Sequence, residues 1–252
     1  MLIFKGVYTV DGRRAVYFEE LDLVAVSDLQ LGEETYLAEE AKLFLPQVQL
    51  KLIIEEIKAI KEETGAKRIL INGDLKHEFK AATFQEWNEV KKLNEELSKL
   101  FSEVIAVRGN HDNYLLTISS RIGLRVVEEH REKGYLFLHG HRLPADYEGV
   151  HTVVIGHEQP AVVLRSGYDR VKLHVILYGK DKLGHRFICL PALSPIASGV
   201  EVNVTPKEEL LSPFFHTSVD IDELKAIAVD PSAGAFRLPK VKLLRRFLTE
   251  SA

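Results

Sequence analysis

Residues 103–112 read EVIAVRGNHD. An apolar, β-branched run stops at a glycine. Directly after it come an amide (Asn110), an imidazole (His111) and a carboxylate (Asp112). The run has the composition of a buried strand, and its end has the composition of a site rather than of a turn.

Four more strand-like runs end in the same way. VAVS leads to Asp28, RILING to Asp74, YLFL to His139, and TVVIG to His157. In sheets built with crossover helices, ligand sites collect beyond the carboxyl ends of the strands. Residues far apart in sequence therefore converge on one point. Aspartate, asparagine and histidine together suit a borderline divalent ion such as Mn²⁺, Fe²⁺ or Zn²⁺.

The remaining pattern frames these strands. LIFKGVYTV, an Asp11-Gly12 turn, RRAVYFEE and LDLVAVSD predict two paired strands followed by a third. Residues 46–63 predict a helix with Pro46 in its first turn and a stripe of Val48, Leu52, Ile53, Ile57 and Ile60. Residues 83–100 predict a second helix, opened by a Thr83/Glu86 capping box, with Phe84, Trp87, Val90, Leu93, Leu97 and Leu100 on one face. From residue 134 onward the chain reads mostly as strands. A further strand is expected at 225–229 and a short basic helix near 240–249. This order predicts an α/β fold with more than one sheet. One domain over 1–252 is expected, with the motifs in about 20–205 and residues 206–252 packed on it.

Composition narrows the function. The 252 residues carry a formal charge of −4, so a globally basic nucleic-acid footprint is absent. The basic stretch KVKLLRR at 240–246 reads as a solvated face. The single cysteine, Cys189, excludes an internal disulfide framework and reads as a core residue. No apolar run approaches a membrane span and the N-terminus turns polar early, which predicts a cytoplasmic protein. Met1 is the only methionine, and Lys and Glu are abundant; this composition suits a thermophilic source. There is no G-x-S-x-G elbow and no P-loop motif, which disfavours a serine hydrolase and an NTPase.

The motifs DLQLGEE, GDLKHEF, RGNHD, LHGHR, IGHEQPAV and LPALSPIASGVEVN, in this order, resemble the calcineurin-like metallophosphoesterase superfamily. Within it they resemble the SbcD-like branch that includes the ligase-associated PdeM type. The resemblance implies a four-layer sandwich of two mixed β-sheets flanked by helices, and a metal-dependent phosphodiesterase or nuclease that uses a metal-bound hydroxide. It implies one or two divalent ions per chain, Mn²⁺ foremost, with Mg²⁺, Ni²⁺, Fe²⁺ or Zn²⁺ as alternatives. By motif, Asp74 bridges the ions. Asn110, His139 and His157 hold the second, and Asp28 holds the first. The substrate implied is a nucleotide or a nucleic-acid end, and the family setting is DNA repair. A monomer and a homodimer both stay open, and no membrane partner is expected.

Two positions depart from the family pattern. D-x-H has become Asp28-Leu29-Gln30, and GHxH has become Gly156-His157-Glu158-Gln159. Gln30 and Gln159 both belong to the first ion. A neutral amide oxygen is a harder, weaker donor than imidazole, so that ion should bind less tightly. His111 is the expected acid for the leaving group, with Asp112 orienting it. His77 and His141 either hold a ligand's tautomer or meet substrate. Arg142 either meets phosphate or is solvated, and Asn110 also borders the substrate. Glu33, Glu34 and Glu158 are expected to turn away. The alternative function is a degenerate member, with a weakened or empty first site, acting as a binding or regulatory protein.

Overall fold

The computed structural model describes all residues except 44, 78–83, 114, 167–168 and 251–252. Two β-sheets pack face to face, and each carries helices on its outer face, giving the four-layer sandwich.

The first sheet runs in sequence order through β1 (Leu2–Phe4), β2 (Val7–Thr9), β3 (Val16–Phe18), β4 (Leu23–Val26), β5 (Arg68–Asn72), β6 (Glu103–Val107) and β7 (Arg125–Val127). β1 to β4 form an antiparallel meander, and β4 to β7 are parallel. The parallel half needs crossovers, which are supplied by α1 (Glu33–Glu40), α2 (Gln49–Thr64), α3 (Phe84–Leu100) and α4 (Leu115–Ile122).

The second sheet contains β8 (His130–Glu132), β9 (Tyr135–Phe137), β10 (Thr152–Ile155), β11 (Pro160–Ser166), β12 (Asp169–Lys180), β13 (Arg186–Cys189), β14 (Val200–Glu201), β15 (Lys225–Asp230) and β16 (Gly234–Lys240). β9, β10 and β13 are parallel neighbours, and β12 turns antiparallel to β13, β11 and β15. α5 (Pro213–Thr217) and α6 (Val241–Glu250) cover its outer face.

Alternation along the strands explains the layering. In β4, Leu23 and Ala25 face the inter-sheet core, while Val24 and Val26 face α2 and α3. β13 does the same: Ile188 points inward, and Phe187 and Cys189 point to α5 and α6. The inter-sheet core is sealed by Phe18, whose ring meets Tyr135 and Phe137 edge-on at 5.4 and 5.0 Å. Ile53, Ile57 and Ile60 of α2 are fully buried, each worth roughly 1.5–3 kcal/mol of transfer free energy.

Several local expectations are corrected. LIFKGVYTV is a hairpin of two strands, split by the turn at Lys5-Gly6. The first long helix begins at Gln49 rather than Pro46, because the Glu34 carboxylate accepts the backbone N–H groups of Val48 and Gln49 and caps it there. Val48 and Leu52 are consequently exposed and do not belong to the buried stripe. Thr83 of the expected capping box lies outside the described residues. α1, α4 and β16 were not expected; EETYLAEE in α1 carries no apolar stripe to announce a helix. No helix among the described residues is long and apolar enough to cross a membrane.

Candidate metal centre

Every candidate ligand follows the carboxyl end of a parallel strand. Asp28 comes after β4, Asp74 after β5, and Asn110 and His111 after β6. In the second sheet His139 comes after β9 and His157 after β10. The two parallel blocks end on the same side of the sandwich, so one point collects residues from both sheets.

The loops that carry them are strained. Five of the eight described non-glycine residues with positive φ lie here: Asp28 (54°), Gln30 (49°), Asp74 (49°), His157 (62°) and Gln159 (49°). Such a backbone costs an L-residue about 1–2 kcal/mol, and strain of this kind concentrates at functional sites. The surroundings hold it in place. Asp28 N–H donates to the Gly73 carbonyl (3.1 Å), Gln30 N–H to the Asp74 carbonyl (2.9 Å), and Ser194 N–H to the Asp28 carbonyl (3.2 Å). Leu29 and Leu31, between and beyond the strained positions, are fully buried anchors. Two glycines allow the close approach. A Cβ on Gly109 would sit 2.0 Å from Asp74 Oδ1, and one on Gly156 would sit 1.8 Å from Ser27 Oγ.

One set of donors is assembled for a cation. Donor atoms of Asp74, His139 and His157 all lie within 4.8 Å of one another. His139 Nδ1 donates to the Asn72 carbonyl at 3.0 Å, which fixes its tautomer and presents Nε2 to Asp74 Oδ2 (3.3 Å) and Asn110 Oδ1 (3.1 Å). Burial acts to lower the His139 pKa, but Asp74 and Asp28 outweigh it and raise it to about 9. Burial acts to raise Asp74, and His139 and His111 outweigh it and bring it to about 2. The pair is thus an imidazolium and a carboxylate, and a dication binding there must displace the proton. Burial and then His139 hold His157 near 3, so it is a neutral imidazole ready to ligate. One carboxylate, one amide oxygen and two imidazoles fit a borderline divalent ion.

Asp28, Gln30 and Gln159 form a different environment. Asp28 is fully buried. Its Oδ2 accepts Ser27 Oγ–H (2.5 Å) and the His157 backbone N–H (3.1 Å), and its Oδ1 accepts the Gln159 side-chain amide (3.1 Å). Burial, opposed by His139 and reinforced by Asp74, raises its pKa to about 6. Both oxygens hold protein donors, and Gln159 turns an N–H rather than an oxygen toward Asp28, so this set does not fit a cation as Asp74, Asn110, His139 and His157 do.

The other expectations divide. His111 N–H donates to Asp74 Oδ1 (3.1 Å), and its ring Nδ1 meets the His77 carbonyl, leaving Nε2 turned toward Asp74 Oδ2 at 3.8 Å. Asp112 is corrected: its buried carboxylate accepts the backbone N–H groups of Gly109 (2.8 Å), Leu75 (3.1 Å) and Lys76 (3.3 Å). It braces two ligand loops against each other, and the His77 carbonyl takes the orienting role. Arg142 matches the solvated alternative in its exposure. It is half exposed and pairs with Glu128 at 2.5 Å, and Arg108 pairs with the same carboxylate at 2.8 Å. His141 lies beside the centre, its ring 5.5 Å from His139 and 6.1 Å from His157. Burial, then His139 and Arg142, lower it to about 4. Glu34 caps α2, Glu33 accepts Ser194 Oγ–H (3.3 Å), and Glu158 accepts the N–H groups of Leu211 and Ser212, all turned from the cation set as expected.

Ser27 and Asn72 were missed from sequence. Both end strands in otherwise apolar runs, and a polar residue at a buried strand end was the available signal.

The sequence profile of the calcineurin-like phosphoesterase family matches residues 21–179, well over half of the chain. The chain belongs to the calcineurin-like phosphoesterase family. No curated protein matches it. Among solved structures, this phosphoesterase chain is similar to the Pseudomonas putida nuclease MPE, with a TM-score of 0.65 and 18% identity over 92% of this chain and 94% of that one. It is also similar to the Escherichia coli phosphoesterase Yfce, with a TM-score of 0.40 and 18% identity over 86% of this chain and 97% of that one. At these identities the likeness to MPE bears on the fold.

Proposed function

We propose that this chain is a metal-dependent phosphodiesterase acting on nucleotide or nucleic-acid phosphodiesters. The observation that carries the reading is the convergence of Asp74, Asn110, His139 and His157 on one point, with His111 beside it. A divalent ion held by those four residues would polarise a phosphoryl oxygen and acidify a water. The chain's own groups supply the rest. Asn72 and Asp74 hold His139 with Nε2 inward. The His77 carbonyl accepts from His111 Nδ1 and aims Nε2 at the site, from which a protonated ring would give its proton to the leaving oxygen. Asp112 keeps the loops after β5 and β6 in register.

Charge supports a diester over a monoester. A diester carries one negative charge and a monoester up to two. The two arginines at the rim, Arg108 and Arg142, are already bound to Glu128 and offer little for a second charge. The similar Pseudomonas putida protein is a nuclease, which supports this class. The resemblance of the motifs to the SbcD-like branch supports a reading in nucleic-acid processing.

Chelator-stripped protein reloaded with Mn²⁺ should hydrolyse bis-p-nitrophenyl phosphate at least about tenfold faster than p-nitrophenyl phosphate. It should also cleave short oligonucleotides, and Asp74→Asn should abolish both activities. Inactivity on all of these with Mn²⁺, Mg²⁺, Ni²⁺, Co²⁺ and Zn²⁺ would overturn the proposal. That result would leave the second reading, a binding or regulatory protein, which Gln30 and Gln159 favour.

A further inference from the structure

We infer that each chain holds a single divalent ion, at Asp74, Asn110, His139 and His157, and that the Gln159 side-chain amide takes the place of a first cation against Asp28. The inference rests on the phosphoesterase reading, and concerns how many ions that site takes.

A carboxylate ligates through a lone pair that carries no proton donor. On Asp28 three of the roughly four lone-pair sites are taken. Three donors of the chain itself, Ser27 Oγ–H, the His157 backbone N–H and Gln159 Nε2–H, occupy its two oxygens. Asp28 and Ser27 are shut from water at 0% exposure, and His157 and Gln159 are half-buried above them. The amide delivers the positive end of a dipole to Oδ1, where a cation would deliver a full charge.

The backbone that carries the amide is also held. Gln159 has φ 49°, and its carbonyl accepts the Val200 backbone N–H at 2.9 Å. Gln30, at the opposite side, is fixed in the same way. Its N–H donates to the Asp74 carbonyl, and its carbonyl accepts Gln49 Nε2–H at 2.9 Å. A cation entering here would have to break the Asp28–Gln159 bond and meet an N–H donor at close range. In return it would gain two neutral amides in place of two imidazoles. Asp74 turns Oδ2 toward His139, on the side of the inferred ion, and its Oδ1 accepts the His111 N–H. In the set of Asp74, Asn110, His139 and His157 the Asn72 carbonyl fixes the His139 ring and turns Nε2 toward Asp74 and Asn110.

The test is ion counting with a spectroscopic check. The 252-residue chain is stripped with a chelator, dialysed against excess Mn²⁺ and desalted. Manganese is then counted by elemental analysis and examined by electron paramagnetic resonance. One ion per chain with the six-line spectrum of an isolated ion is expected. Gln30→His with Gln159→His should take two ions and show exchange coupling. Asp28→Asn should keep its ion, and His139→Ala should lose it. Two ions or a coupled spectrum in the unaltered chain would overturn the inference. So would a folded double variant that still takes one ion, or an ion lost with Asp28→Asn and kept with His139→Ala. Should the double variant fail to fold, the unaltered chain and the single variants decide. Two ions with hydrolysis would sink this inference and spare the activity; one ion without hydrolysis would do the reverse.

Discussion

The side-chain amide of Asn72, at the end of β5 in the first sheet, donates to the Leu138 carbonyl just beyond β9 in the second, at 3.0 Å. The same amide reaches the Val154 carbonyl at 3.3 Å. Its own backbone carbonyl accepts His139 Nδ1–H at 3.0 Å and shares the one Ser27 Oγ–H with Asp28 Oδ2, at 3.0 Å against 2.5 Å. One buried residue therefore ties the sheets together and orients a ligand from each.

Replacing Asn72 tests that tie. Asn72→Leu takes the side-chain donor from the buried Leu138 carbonyl, while the Val154 carbonyl keeps the Leu138 N–H, a loss of about 1–3 kcal/mol. Because the His139 partner is a backbone carbonyl, the ligand survives but its support loosens, and Mn²⁺ affinity should fall about tenfold or more. Urea unfolding and metal titration check the two parts. Unchanged stability together with unchanged affinity would refute the assignment.

Asp112 should behave as a brace. Asp112→Ala removes the acceptor of three buried N–H groups and is expected to destabilise the chain by about 3 kcal/mol. The pH–rate profile of whatever activity remains should keep its shape. A profile that loses its basic limb, as expected for loss of the acid, would return Asp112 to the proton-transfer chain.

His111 should act on the leaving group. His111→Gln is expected to lower kcat by about 10²–10³ on an oligonucleotide, whose alkoxide leaves poorly, and by less than about tenfold on bis-p-nitrophenyl phosphate. Bound manganese should be unchanged. Equal losses on both substrates would show that His111 positions rather than protonates.

His174 makes stability depend on pH. It sits on β12 opposite Ala161, and burial, then Arg14 and Lys172, push its pKa down to about 4. The unfolded chain takes up this proton near pH 6.5. Between about 4 and 6.5 the unfolded state therefore binds more protons than the folded one, and stability falls as the pH falls through that window. Its Nδ1 has no hydrogen-bond partner among the described residues. His174→Leu should gain on the unaltered chain at pH 5 relative to pH 7.5, by urea unfolding. An equal difference at both pH values would rule out this source of acid sensitivity.

The sequence by itself determined the ligand types, their order at strand ends, the two long helices and the departures at Gln30 and Gln159. These are local facts: an apolar run, a glycine, and a polar residue that the run does not need. The tertiary structure decided what the residues do to one another. Asp112 and His111 are neighbours in sequence, yet the carboxylate turns to the loop after β5 and the ring to the His77 carbonyl. Gln159 meets Asp28 across 131 residues because two sheets end their parallel strands on one side. Hydrogen bonds between buried groups depend on where those two sheets pack. The spacing of motifs along the chain carries no record of which donor reaches which oxygen, and that pairing sets how the cation site is filled.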